Sequence, residues 1–197
     1  MKRKIVLERR EVMTQILKDR GDALLVTGLG SPTYDAAAAG DHPFNFYLWG
    51  AMGGAAMIGL GLALAQPRRR VLVITGDGEL LMGLGSLATI GVARPRNLAV
   101  IVLDNQHYGE TGMQPTHTGR GVELAGMARA ANFAAAATIY TMQQLKTWIP
   151  KFHRGLGPVF AAIKVTTKPV PMTLPLRDGT HIKNRFREAL LGDAAFE

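Results

Sequence analysis

Val71-Leu72-Val73-Ile74-Thr75, closed by Gly76-Asp77-Gly78, and Leu98-Ala99-Val100-Ile101-Val102-Leu103, closed by Asp104-Asn105, decide the fold. Each is a short aliphatic run without polar alternation, the pattern of a strand buried on both faces of a parallel sheet. Outward from this pair, residues 23–27, 136–140 and 159–165 read as further strands. Helical stretches are expected over residues 6–18, 51–65, 80–91, 122–132, 142–152 and 181–190. Strand–helix alternation of this kind builds βαβ units, so the fold class is α/β with a mostly parallel sheet between helix layers. The glycine-rich polar loops follow the carboxyl ends of the strands, where open α/β sheets bind ligands.

Composition narrows the function. The 197 residues hold no Cys, which excludes a disulfide framework, a thiolate metal site and a catalytic thiol. Lys and Arg outnumber Asp and Glu by 23 to 15, a net +8. The excess is scattered over Lys2-Arg3-Lys4, Arg68-Arg69-Arg70 and the final third, without interleaved aromatics, so nucleic acid is not the expected partner. Ile5-Val6-Leu7 is too short for a signal-peptide core. Residues 43–67 carry no Asp, Glu, Lys or Arg before Arg68, and hydropathy alone allows a membrane span there. Gly and Ala dominate it, which favours a helix packed closely inside a protein. A cytoplasmic protein with no membrane partner is expected. Residues 1–167 read as one domain, and 168–197 as a Pro-rich arm with a terminal helix that could lie on a partner.

The chemistry-bearing constellation is Gly76-Asp77-Gly78, then residues 79–104, then Asn105. Neighbouring parallel strands bring Asp77 and Asn105 to one edge of the sheet. A carboxylate, an amide oxygen and nearby backbone oxygens suit a hard octahedral cation such as Mg²⁺. The glycines leave backbone N–H groups free at the start of the next helix, where a phosphate is attracted. Taken singly, Asp-Gly after a strand is an ordinary turn; the second strand-tip oxygen at this spacing gives the pair its meaning.

Gly76-Asp77-Gly78 with Asn105 beyond resembles the signature of thiamine-diphosphate-dependent enzymes, in their diphosphate-binding (PP) domain. The resemblance spans about residues 20–165 and includes Trp49-Gly50-Ala51-Met52-Gly53, Gly85-Ser86-Leu87, Asn105-Gln106-His107-Tyr108-Gly109-Glu110-Thr111-Gly112 and Gln114-Pro115-Thr116. Within the family the motifs look most like the sulfopyruvate decarboxylase β subunit and the C-terminal half of phosphonopyruvate decarboxylase. The resemblance implies the thiamine-diphosphate-binding fold, a three-layer α/β sandwich. It implies that Asp77, Asn105 and the His107 carbonyl hold Mg²⁺. Amides of Gly78, Glu79 and Leu80, with Gly28, Gly30 and Ser31 of the first loop, would hold the diphosphate, and Gly76 and Tyr108 would border it. Met52 would bend the cofactor and the Gly50 carbonyl would accept from its amino group. On its own Met52 would read as a core methionine.

Two departures stand out. Glu79 replaces a common Ser or Ala and is expected to point away from the phosphates, toward a basic residue of a partner. Asp104 replaces a frequent Asn. Residues 1–22, ahead of the first strand, cannot supply the pyrimidine-binding domain, so its activating glutamate is expected from a separate subunit in a hetero-oligomer. Glu110 and His107 are candidate acid–base groups beside the cofactor; His117 and Arg120 could orient an anionic 2-oxo acid. The leading reading is a thiamine-diphosphate- and Mg²⁺-dependent 2-oxo acid decarboxylase subunit. A carboligase, C–C lyase or oxidative 2-oxo acid subunit, and a non-catalytic assembly subunit, are the alternatives.

Overall fold

The computed structural model describes residues 5–196; the basic cluster Lys2-Arg3-Lys4 lies outside them. Six strands form one parallel sheet: β1 (Leu24–Thr27), β2 (Asn45–Tyr47), β3 (Val71–Gly76), β4 (Leu98–Asp104), β7 (Ala135–Ile139) and β8 (Val159–Lys164), in the order β2-β1-β3-β4-β8-β7. A two-residue hairpin, β5 (His107–Tyr108) with β6 (Gln114–Pro115), stands apart from it. The helices are α1 (Arg9–Leu17), α2 (Ser31–Ala38), α3 (Ala55–Ala65), α4 (Asp77–Met82), α5 (Ser86–Ala93), α6 (Leu124–Ala130), α7 (Met142–Arg154) and α8 (Gly179–Leu191).

Alternate residues of the central strands feed two separate cores, which is why those strands are apolar along most of their length. Leu25, Leu72, Ile74, Ile101 and Ile163 face α1, α2 and α7. Leu24, Val26, Val73, Val100, Val102 and Phe160 face α3, α4, α5 and α6. The sheet is thus the middle of three layers. Among the described residues no helix is long and apolar enough to cross a membrane. The charge-free stretch instead holds β2, a turn and α3, pressed so closely on the sheet that a Cβ at Gly59 would lie 2.1 Å from Val73 Cγ2.

Two expected helices change, and two short elements are new. The helix expected from residue 51 starts at Ala55, because Gly50, Ala51 and Gly53 hold positive φ (80°, 48° and 88°) in a tight turn. The helix expected over 80–91 is two helices: a Cβ at Gly83 would sit 2.2 Å from the Gly53 carbonyl, so the chain breaks there to meet that turn. Helix α2 and strand β2, both short, carried no periodic signal long enough to read.

The 166–178 segment runs without regular structure along the first helix and the 49–50 turn. Arg10 Nη2 donates to the Pro171 carbonyl (2.6 Å) and Trp49 Nε1 to the Leu176 carbonyl (3.0 Å). Helix α8 then caps the β2 edge: Phe186 meets Phe46 edge-on at 5.7 Å, and Arg185 pairs with Asp41 at 2.6 Å.

Candidate active site

Strands β3 and β4 are hydrogen-bonded neighbours with Gly76 opposite Leu103, so Asp77 and Asn105 emerge side by side from one sheet edge. Asp77 opens α4 and is 1% exposed. The chain leaving Asn105 forms the β5–β6 hairpin and then a 3₁₀ turn, His117–Arg120, which returns two hydroxyls to Asp77. Asp77 Oδ2 accepts from Thr116 Oγ1 (2.5 Å) and from Thr118 Oγ1 (2.9 Å). Thr118 Oγ1 is also 2.8 Å from Asp104 Oδ1. Asp104 is itself buried, and its Oδ2 pairs with Lys164 Nζ at 2.5 Å, the residue opposite it on β8. The charge that Asp104 adds is therefore met within the chain.

Burial pushes the Asp77 carboxyl up to about 6, the Asp104 charge adds to the rise, and the two threonine hydroxyls oppose it. A buried carboxyl raised in this way is one a cation would return to its ionised form. Asn105 Oδ1 accepts the His107 N–H at 2.9 Å, and the His107 Nδ1 lies 2.9 Å from the Asn105 carbonyl, which fixes the turn around both. Among the described residues no group of three or more His, Cys, Asp or Glu gathers as a metal cage. The donors here are one carboxylate, one amide oxygen and backbone carbonyls, an all-oxygen set that fits Mg²⁺.

Glu79 turns into its own chain. It is 4% exposed; its Oε1 accepts from the N–H groups of Gly53 (3.1 Å) and Ala55 (3.4 Å), at the start of α3. Its Oε2 finds no hydrogen-bond partner among the described residues and lies against Gly28, where a Cβ would come within 2.2 Å. The physical reason is the open end of α3: Gly54 has no side chain to cap it, and a carboxylate satisfies those amides well. Burial raises the Glu79 carboxyl, and the amides of Ala55 and Gly53 oppose that.

These residues surround a cavity of ≈170 Å³. Of the residues expected at the site, it gathers Ser31, Met52, Gly76, Asp77, Gly78, Glu79, Asn105, His107, Tyr108 and Glu110. Gly28 and Gly30 stand just behind its wall, the first against Glu79 and the second, at φ 79°, against Glu110. The Tyr108 ring covers Gly78, where a Cβ would meet it at 2.5 Å. Leu80 turns its side chain into the core, and neither Gly50 nor the exposed His117 lines the cavity. The sequence reading missed Thr116 and Thr118 as the clamps on Asp77, Lys164 as the counter-ion of Asp104, and Arg9 on the cavity wall. Only the Thr-His-Thr run, shortly after Asn105, could have signalled any of them. A larger cleft, ≈880 Å³, opens beside β7 and shares Asp104 and Thr118 with the first site. Of its cations, Lys164 and Arg129 are paired with Asp104 and Glu123, while the exposed Arg120 lies here and not in the first cavity; the cleft lacks the strand-tip pair, so the site is placed in the smaller cavity.

Residues 28–163 match the family model "Thiamine pyrophosphate enzyme, C-terminal TPP binding domain". The chain belongs to the thiamine pyrophosphate enzymes. It is 39% identical over 151 residues to the sulfopyruvate decarboxylase subunit beta of Methanocaldococcus jannaschii, covering 76% of this chain and 78% of that one. With the same subunit of Methanothermobacter thermautotrophicus the identity is 36% over 193 residues, 95% and 98% of the two chains. It is 41% identical over 144 residues to phosphonopyruvate decarboxylase of Streptomyces viridochromogenes, 73% of this chain and 36% of that one. Benzoylformate decarboxylase from Polynucleobacter necessarius has the same fold, with a TM-score of 0.70 at 17% identity over 87% of this chain and 36% of that one. This thiamine pyrophosphate enzyme thus falls among decarboxylases, as the cofactor-binding domain.

Proposed function

We propose that the chain is the diphosphate-binding subunit of a thiamine-diphosphate- and Mg²⁺-dependent decarboxylase acting on an anionic 2-oxo acid of the sulfopyruvate or phosphonopyruvate kind. The observation that carries this is the buried Asp77 beside Asn105 at adjacent strand tips, inside a glycine-walled cavity. Asp77, Asn105 and the His107 carbonyl would hold the cation, with Thr116 and Thr118 orienting the Asp77 carboxylate. The Gly76–Leu80 backbone and the first loop, Gly28 to Ser31, would hold the diphosphate. Met52, Met82 and Tyr108 line the cavity, and the two exposed methionines would form apolar walls once the partner chain covers them. Glu110, at the exposed rim against Gly30, is the group of this chain best placed to exchange a proton with substrate or product. When bound, thiamine diphosphate supplies the electron sink for the pair left by departing CO₂.

A cavity of ≈170 Å³ falls below the roughly 300–1,000 Å³ of a complete small-molecule site, which supports an active site finished by a pyrimidine-binding chain. The subunit names of the two archaeal relatives support the same division. The test is calorimetric titration of the chain with its partner subunit. Saturable, Mg²⁺-dependent uptake of thiamine diphosphate is expected, and Asp77→Asn abolishes it. Release of CO₂ and aldehyde from sulfopyruvate without an electron acceptor is expected as well. Uptake without CO₂ release would turn the reading to another thiamine-dependent reaction, and no uptake would overturn it.

A further inference from the structure

Arg9 opens α1, outside the span 28–163 that matches the family, yet it lines the cavity beside Ser31. Its side chain is only 13% exposed. Nη1 donates to Asp35 Oδ2 at 2.5 Å and to the Ser31 carbonyl at 3.4 Å. Asp35 is fully buried in α2 and also accepts from Arg10 Nε at 3.2 Å. Two guanidinium groups on one carboxylate leave a surplus positive charge. Arg10 turns its Nη2 to the Pro171 carbonyl and does not line the cavity, so the surplus is available through Arg9.

The carboxyl groups on the wall are Asp77, Glu79 and Glu110, with His107 and Tyr108 beside them. Among the described lining residues Arg9 is the sole Lys or Arg. Taking a guanidinium this far out of water is costly unless its donors are met. The bonds to Asp35 and Ser31 use one nitrogen, and a fixed fork of further N–H donors remains, a shape that suits a carboxylate, sulfonate or phosphonate.

We propose that Arg9, aimed by the buried Asp35, binds an oxyanion in this cavity, namely the acid group at the far end of the substrate. This rests on the decarboxylase reading above. The cofactor's diphosphate offers the same chemistry, so cofactor and substrate are measured separately. In the complex with the partner subunit, the wild type first establishes thiamine diphosphate uptake and CO₂ release; if these fail, the decarboxylase reading fails, whatever Arg9 does. With them in place, Arg9→Gln raises the KM for sulfopyruvate about 10- to 100-fold, as loss of a charged hydrogen bond implies. Pyruvate, which lacks the second acid group, keeps its KM, and the calorimetric Kd for thiamine diphosphate holds. Arg9→Lys restores part of the effect. Arg10→Gln, which takes the other arginine from the same carboxylate, leaves the sulfopyruvate-to-pyruvate ratio unchanged. Because Arg9→Gln leaves Asp35 with one partner, the double variant Arg9→Gln with Asp35→Asn is measured beside it, and the same loss of discrimination is expected. Equal ratios in Arg9→Gln and wild type, or equal changes in the Arg9 and Arg10 variants, would overturn the proposal and leave an anchor between helices. A loss of cofactor affinity with an unchanged substrate ratio would also overturn it, by assigning the oxyanion to the diphosphate.

Discussion

Thr118 has one hydroxyl proton and two carboxylates within hydrogen-bond distance, Asp77 and Asp104. One proton serves one acceptor, so with both carboxylates ionised one contact sets lone pair against lone pair. A proton on Asp77 removes that conflict, since Asp77 can then donate to Thr118 while Thr118 donates to Asp104. The folded-state carboxyl of Asp77 stands at about 6, above its ordinary 3.8, so the fold favours its protonated form. Its contribution to stability is full below about pH 4 and is lost as the pH climbs through 6. Cation binding needs the carboxylate and displaces the proton, so it strengthens across the same window. The rise in melting temperature caused by Mg²⁺ with thiamine diphosphate should therefore be larger at pH 7.5 than at pH 5. Asp77→Asn should remove the difference. Thr118→Val should weaken Mg²⁺ affinity about 10- to 100-fold, the usual effect of losing a group that orients a metal ligand. Lys164→Met should cost about 3–5 kcal/mol in denaturant unfolding, because it strands the buried Asp104 charge.

Gly83 and Gly53 show how an element boundary can be set by a distant backbone. Gly83→Ala would drive a Cβ into the Gly53 carbonyl, and the turn carrying Met52 would have to move. A loss of about 1–3 kcal/mol is expected in chemical denaturation, with weakened cofactor uptake in calorimetry. The fused helix expected over 80–91 missed this break, since nothing local to that stretch announces a partner thirty residues away. The strands were legible for the opposite reason: β3 and β4 are buried on both faces, so every residue reports the same environment. The same holds for Asp77 and Asn105, whose positions follow directly from where those strands end. Arg9 and Lys164 were illegible, because their meaning comes from Asp35 and Asp104, which only the folded sheet sets beside them. Glu79 was readable as unusual, but its direction depends on the uncapped start of α3.

Across the whole molecule, the last thirty residues tie the two helix layers together at the β2 edge: Ile182 joins one core and Phe186 the other. Phe186→Ala should cost about 3–5 kcal/mol in thermal or chemical unfolding, since the ring is buried and stacked edge-on to Phe46. The arm also brings Arg177 within electrostatic reach of Tyr34, whose hydroxyl is raised mainly by burial, then by Glu110, with Arg177 opposing. The strand order has a consequence for synthesis. β8 is the last strand to leave the ribosome, yet its slot is interior, between β4 and β7. A nascent chain can zip β2, β1, β3 and β4 together early, while β7 waits without its neighbour until residues 159–164 emerge. That waiting strand is Ala135-Ala136-Ala137-Thr138-Ile139, one of the least sticky in the sheet, so the strand that must wait with no neighbour at all is poorly suited to recruit a wrong one.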